Sequence, residues 1–121
     1  MNDQTNPKDL LGIKKPPVDL VPPILEILTS LAFRDGAIKY GPYNWRQKKV
    51  KFSIYYAAIK RHLAALFDGE DTDPISGVPH IAHASACIAI IMDAIATGNL
   101  IDDRPTKGAS NKVIEQWTIK D

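Results

Sequence analysis

The sequence predicts an all-α protein, and two observations support that prediction. Three stretches carry apolar residues at spacings of three and four positions, which is the period of an amphipathic helix. No stretch alternates convincingly between apolar and polar residues, as a half-buried β-strand would. The chain has 121 residues, the size of one domain, and so small a bundle buries only a modest core. We therefore expect a small helical bundle that self-associates.

Residues 1–22 form a proline-rich, charged segment ahead of the first predicted helix. Because proline fixes φ and donates no backbone N–H, we expect an extended arm that lies on the surface or across a neighbouring subunit. Residues 23–121 are expected to form one domain. The chain start lacks the apolar core of a signal peptide, and the longest apolar stretch, residues 81–96, is shorter than the roughly 20 residues that cross a bilayer. We accordingly expect a cytoplasmic protein that does not contact a membrane.

The first two helices are predicted from their termini and their apolar stripes. The first begins at Pro22-Pro23, since proline is accepted in the first helical turn, and its pattern is broken by Gly36 and then by Gly41. The second covers residues 53–67; it starts at a serine, an acceptable N-cap, and Gly69 supplies the stop. A loop dense in Asp, Pro and Gly follows it, as is typical of a turn region.

The third helix is predicted over residues 79–97, where a proline opens the stretch and Gly98 closes it. The polar segment beyond it contains Trp117, which we expect to pack back on the bundle. Cys87 lies in the apolar run of this helix, and we expect it to be a small buried residue rather than a reactive thiol. A single cysteine also excludes a disulfide scaffold.

The charge balance argues against polymeric nucleic acid as a partner. The chain has 15 Lys and Arg residues against 14 Asp and Glu, a formal net charge of +1. A general nucleic-acid binder needs a clear basic excess or stripe to neutralise phosphates. With 45% hydrophobic and 24% charged residues, the composition is that of an ordinary globular chain, which excludes disorder along its whole length.

All three histidines fall within one short stretch of the chain. His80 and His83 are three positions apart and share one face of the third predicted helix, whereas His62 lies near the end of the second. The loop between these helices contains Glu70 and Asp73, so all five side chains are expected to converge. Mixed carboxylate and imidazole ligands suit Mg²⁺, Mn²⁺ or another divalent first-row ion. The candidate ligands are Glu70, Asp73, His80 and His83, and His62 is a candidate general base or a further ligand.

These residues also have an ordinary structural interpretation. A histidine on a helix is more often packed or solvated than bound to a metal, and Asp73 is the kind of residue that hydrogen-bonds its own backbone in a turn. The pattern is not His-Glu-x-x-His, so a zinc protease is not supported. Glu70 follows a helix C-terminus, where the helix dipole disfavours a carboxylate, and this position favours a cation as its partner.

A second cluster of functional residue types occupies positions 39–46. Lys39 and Arg46 can pair with phosphates. Tyr40 and Trp45 can stack on a base, and the Asn44 amide can both donate to and accept from a base edge. The alternative is an aromatic loop whose rings fill the core beneath it.

Four motifs follow one another between positions 36 and 83: GA-x-KYG-x-x-NWR, Y-x-x-A-x-x-RH, GE-x-x-D and SG-x-x-H-x-A-H. Together they resemble the phage dATP/dGTP diphosphohydrolase domain of MazZ type, which is related to the all-α nucleoside triphosphate pyrophosphohydrolases of MazG type. The resemblance covers roughly residues 30–97. It implies a small helical bundle of the all-α NTP pyrophosphatase kind, as a dimer or tetramer.

The resemblance implies that a deoxynucleoside triphosphate, dGTP or dATP, is cut between its α- and β-phosphates in phage nucleotide metabolism. The products are the monophosphate and pyrophosphate, and Mg²⁺ or Mn²⁺ is required. In this interpretation, the catalytic residues would be His62, Glu70 and Asp73. The substrate-binding residues would be Lys39, Tyr40, Asn44, Trp45, Arg46 and Arg61.

The chain departs from the MazG-type pattern in its carboxylates. Those enzymes bind metal through Glu-x-x-Glu and Glu-x-x-Asp, but this chain has three glutamates in all and no Glu-x-x-Glu. If the mechanism is kept, imidazoles must replace some carboxylates. Two other functions stay open: an HD-like metal phosphohydrolase and a non-enzymatic helical module. The sequence has no adjacent His-Asp pair, which argues against the first of these.

Overall fold

The computed structural model describes residues 6–121 and confirms the all-α prediction. This part of the chain contains six α-helices and two strands of two residues each. The helices are α1 (Pro7–Gly12), α2 (Ile24–Tyr40), α3 (Asn44–Gln47), α4 (Phe52–Phe67), α5 (His80–Ala96) and α6 (Ser110–Trp117), and the strands are β1 (Val50–Lys51) and β2 (Leu100–Ile101). Across these residues, we find no helix with the length and apolar character needed to cross a bilayer.

Helix α5 lies at the centre of the bundle and packs against both α2 and α4. Its buried residues are mostly alanines, and Ala82 and Ala86 join Ala32 of α2 in the core cluster. Such small side chains let neighbouring helices approach closely. Three larger, partly buried residues of α2 pack against this cluster: Leu28, Leu31 and Phe33. The core is therefore built on close helix packing more than on large side chains.

The predicted break of the first helix at Gly36 is wrong, because α2 continues through that residue and ends at Tyr40. A glycine in a helix costs about 1 kcal/mol relative to alanine, which the packing of α2 against α5 can offset. Gly41 is the actual stop. Its φ of 87° lies in the left-handed region that favours glycine. The predicted α4 and α5 agree with the observed helices to within one residue at each end.

The two short strands are a feature that the sequence does not predict. They pair in parallel, with Val50 opposite Leu100 and Lys51 opposite Ile101. Two residues are too few to show a strand's alternation. Val50 is 1% exposed, and its N–H donates to the Asn99 carbonyl at 3.0 Å. The pairing ties the segment before α4 to the segment after α5.

The N-terminal arm is not wholly extended, which corrects the prediction; residues 1–5 of the arm lie outside the described residues. Residues Pro7–Gly12 form α1, and Val18–Leu20 form a short 3-10 turn. The Asn6 side chain caps α1 by accepting from the Lys8 N–H at 2.9 Å, and a proline in the first turn is already set for a helix. All the described residues up to position 22 are exposed. The division into an arm and a domain stays a prediction.

The expected packing of Trp117 against the bundle is also wrong. Trp117 is 78% exposed at the end of α6, and the apolar residues Val113 and Ile114 of that helix are exposed as well. Helix α5 likewise leaves a row of apolar residues exposed: Ile81, Ile88, Met92 and Ile95. Self-association would cover such residues, and it stays a prediction.

Candidate active site

The loop between α4 and α5 folds back on itself and places the histidines of the two helices side by side. Within it, the Asp73 N–H donates to the Val78 carbonyl at 2.9 Å, and the His80 N–H donates to the Asp71 carbonyl at 2.9 Å. His62 of α4 thereby faces the first turn of α5. Its Nδ1 lies 2.9 Å from His80 Nδ1, and its ring stacks on that of His83 at 4.7 Å between centroids. The structure thus brings the three histidines together.

Glu70 and His62 contact opposite nitrogens of His80. His80 is buried, and its Nε2 lies 2.7 Å from Glu70 Oε1, whereas its Nδ1 faces His62. A neutral imidazole that donates its Nε2–H to the carboxylate carries its lone pair on Nδ1, which here faces His62. Carboxylates hold metal-ligating histidines in this way, on the nitrogen that is not bound to the ion. The geometry therefore suits Glu70 as the residue that orients His80.

Asp73 and His83 lie beside this pair. Asp73 Oδ1 accepts from the Ile75 N–H at 2.9 Å, and this hydrogen bond holds the pKa of the Asp73 carboxyl below its usual range. His83 Nε2 lies 2.7 Å from the Ser76 hydroxyl and 4.0 Å from Asp73 Oδ2. Burial lowers the pKa of His83, and burial together with the neighbouring histidines lowers that of His62. Both shifts favour the neutral imidazole, whose lone pair can bind a cation or accept a proton.

The donor atoms of His62, Asp73 and His80 fit a divalent cation. Each of these residues offers one ligand atom, and all three atoms lie within 4.8 Å of one another. Two imidazoles and one carboxylate suit first-row transition ions, whereas Mg²⁺ is usually bound through oxygen ligands. This group of three contains two of the predicted metal ligands and adds His62. Glu70 and His83, also predicted as ligands, stand next to it rather than within it.

A cleft of about 270 Å³ opens beside the histidines, between α2, α3, α4 and α5. Its polar end carries His62, Asp73 and His83 together with an ion pair of α2, in which Lys39 Nζ lies 2.9 Å from Asp35 Oδ2. Asp35 holds the pKa of the Lys39 ammonium above its usual range, so the cation stays charged. The lining also includes five residues with aromatic or amide groups: Phe33, Tyr40, Asn44, Trp45 and Tyr55. The cleft therefore joins charged and metal-ligating groups to a stacking surface.

Arg46 and Arg61 do not line this cleft. The Arg46 guanidinium is tied to Asp93 of α5 by two hydrogen bonds, at 2.6 and 2.7 Å. The Trp45 indole N–H donates to the same carboxylate at 3.0 Å, and its ring lies 5.0 Å from that of Phe33. Arg61 is exposed on α4. Trp45 thus both anchors α3 and lines the cleft, whereas Arg46 has a partner within the fold.

Asp93→Asn is expected to lower the midpoint of thermal unfolding near neutral pH, since an amide cannot form the ion pair with Arg46. The hydrogen bonds from Arg46 and Trp45 depress the pKa of Asp93 in the folded chain. A carboxylate with a depressed pKa stabilises the fold above its unfolded pKa of about 3.9, and this contribution is lost as the pH falls through the lower folded value. The midpoints of wild type and variant should therefore converge below about pH 4. Circular dichroism melts at pH 7 and pH 3 check this, with the exposed Asp68→Asn as control; equal midpoints at pH 7 would contradict it.

Four residues of this region were given no role from the sequence: Asp35, Tyr55, Ser76 and Asp93. The spacing of Asp35 and Lys39, four apart on one helix, is a signal that could have identified the ion pair. Tyr55 and His62 are seven positions apart and share a helix face in the same way. The partnership of Asp93 with Arg46, across 47 positions, leaves no such signal.

Comparison with known proteins places this site in a family. The family model described as "dATP/dGTP diphosphohydrolase, N-terminal" matches residues 5–104, which include every residue of the cleft. The chain is similar to a dATP/dGTP diphosphohydrolase of Salmonella phage PMBT28, with 31% identity over 111 residues. That match covers 88% of this chain and 38% of the phage protein, so the chain spans well under half the length of its relative. No solved structure matches. The chain belongs to the family defined by the N-terminal domain of the dATP/dGTP diphosphohydrolases.

Proposed function

We propose that the chain hydrolyses dATP and dGTP to the deoxynucleoside monophosphate and pyrophosphate, with a divalent cation, in phage nucleotide metabolism. The observation that carries this proposal is that one cleft is lined both by His62, Asp73, His83 and Lys39 and by aromatic and amide side chains. A triphosphate needs cations and metal-bound oxygens at one end, and a base needs flat apolar surface at the other. The family and the relative's name support the same reaction.

The metal ligands of this proposal are His62, Asp73 and His80, with Glu70 as the residue that orients His80. A divalent cation at these ligands supplies a Lewis acid that neutralises phosphate charge and makes water a better nucleophile. The imidazole-rich donor set favours Mn²⁺ over Mg²⁺. In this arrangement, histidines serve as metal ligands in a chain that has few glutamates. The carboxylate of Glu70 does not bind the cation and instead contacts a histidine that does.

The remaining polar residues of the cleft have roles of their own. Lys39 keeps its charge and lies where it can neutralise the phosphates, with Asp35 holding its ammonium in place. His83 is the neutral imidazole outside the three ligands, so it takes the proton that the attacking water releases. Water adds its oxygen to the α-phosphorus as the bond from that phosphorus to the α–β bridging oxygen breaks, and pyrophosphate leaves with the bridging oxygen. Arg61 is exposed on α4 and does not line the cleft, so its role in substrate binding stays a prediction.

Incubation of the purified chain with each of the four common dNTPs tests the proposal. We expect dATP and dGTP to be consumed, with one monophosphate and one pyrophosphate formed per substrate, faster with Mn²⁺ than with Mg²⁺ and not at all with a chelator. Chromatography of the products identifies them. Release of triphosphate or of inorganic phosphate would instead indicate an HD-like phosphohydrolase. No metal-dependent hydrolysis of any dNTP would indicate a non-enzymatic helical module.

A further inference from the structure

A second cavity of about 440 Å³ continues from the cleft beside the histidines. Five residues line both spaces: Tyr40, Asn44, Trp45, Tyr55 and Cys87. Beyond this shared wall the cavity is bounded by residues 48–50 and by Ile54 and Ala58 of α4. A ligand held at the histidine end can therefore extend past Asn44 into this cavity without leaving the protein surface.

The lining of this second cavity is mostly apolar and aromatic. Val50 is 1% exposed, and Ala58 contributes only a methyl group to the lining. Lys48 and Lys49 are exposed residues of its lining, and the Lys49 ammonium donates to the Gly98 carbonyl at 3.3 Å. An apolar space of several hundred Å³ with a few polar groups is typical of a small-molecule site.

Asn44 is the polar group best placed to recognise a ligand here. Within residues 6–121, the Asn44 side-chain amide makes no hydrogen bond. Every buried polar side-chain atom of this range has a hydrogen-bond partner, so the Asn44 amide is not buried. It is therefore open to the cavities that it lines. An amide presents a donor and an acceptor side by side. Rotation by 180° exchanges them, so one asparagine can pair with a 6-amino or with a 6-oxo purine edge.

We propose that the 440 Å³ cavity is the purine subsite, with Asn44 contacting the base edge and Ala58 marking its floor. The inference is built on the proposed function, since it takes the triphosphate to lie at the histidine end. It places the base between α3 and α4, against the aromatic and amide residues that the cleft and the cavity share.

The test uses a thiol placed in the cavity and a ligand without phosphates. Cys87 is the single cysteine of the chain, so Ala58→Cys in a Cys87→Ser background leaves one thiol, at a position that lines the second cavity and not the cleft. Labelling by a small methanethiosulfonate, followed by intact mass, gives its rate. We expect saturating deoxyguanosine to slow labelling at least tenfold and pyrophosphate to leave it unchanged. Ala64→Cys in the same background, exposed on α4, is the control, and neither ligand should protect it.

The two proposals fail in different ways in this experiment. Deoxyguanosine has no phosphates, so protection does not depend on hydrolysis or on a metal. Labelling that deoxyguanosine does not slow, or that pyrophosphate slows equally, overturns the purine subsite even if dGTP is hydrolysed. Protection by deoxyguanosine in a protein that hydrolyses no dNTP supports the subsite and overturns the proposed reaction. Labelling of Cys87 in the wild-type chain is a second measurement, and deoxyguanosine should slow it as well.

Discussion

Asp73→Asn is expected to reduce dGTP hydrolysis at least about 100-fold while leaving the helical circular dichroism spectrum unchanged. The substitution removes the negative charge that Asp73 contributes to the proposed metal ligands. The fold should survive, because the amide oxygen of asparagine can still accept the hydrogen bond that Ile75 donates. The turnover number with Mn²⁺ is the measurement, and calorimetric titration with Mn²⁺ should show weaker binding.

Asp71→Asn is the matched control for this experiment. Asp71 lies in the same loop, is exposed, and contacts α5 through its backbone carbonyl, which accepts from the His80 N–H. Its substitution should leave both turnover and Mn²⁺ binding near wild-type values. Full activity of Asp73→Asn would show that the cation, if one is used, is held elsewhere. Equal losses in both variants would show that the loop tolerates no change of charge, which would contradict a specific role for Asp73.

Ala82→Leu is expected to destabilise the fold by about 2 kcal/mol and to lower the melting temperature by roughly 8 °C. Ala82 is 1% exposed and packs in the core cluster with Ala32 of α2. A leucine at this position must push α2 and α5 apart or adopt a strained rotamer. The same substitution at the exposed Ala64 of α4 is the control, and it should change the melting temperature little. Equal melting temperatures for the two variants would contradict the view that close alanine packing holds the bundle.

These two predictions concern α5 and the loop that precedes it. The first turn of α5 carries His80 and His83, and its buried alanines set how closely α2 and α4 can approach it. His62 comes from α4 and Lys39 from α2, so the spacing of the three helices sets the width of the cleft. A change in the alanines should therefore also reduce activity, through the positions of these side chains.

The local features of this protein could be read from its sequence. Helix positions follow from apolar periodicity and from turn residues close in the chain, so α4 and α5 were predicted to within one residue. The convergence of His62 with His80 and His83 also needs nothing more than two helices and a short loop. The expected break at Gly36 failed because packing between helices, which the local pattern does not show, offsets the cost of a glycine.

The partners of individual side chains were decided by the tertiary structure. Arg46 was predicted to bind substrate, yet it pairs with Asp93, 47 positions further along the chain. Glu70 was predicted as a metal ligand, yet it contacts His80 on the nitrogen that faces away from His62. The β1–β2 pairing and the cavity above Ala58 likewise depend on segments that are distant in sequence. The amino-acid sequence alone predicted the three long helices α2, α4 and α5 and the chemical groups that meet at one end of them, because these features depend on neighbours in the chain; the short helices α1, α3 and α6 were not predicted. Which atom faces which, and how much space lies between them, followed from the packing of three helices around α5, because packing joins residues that no local pattern connects.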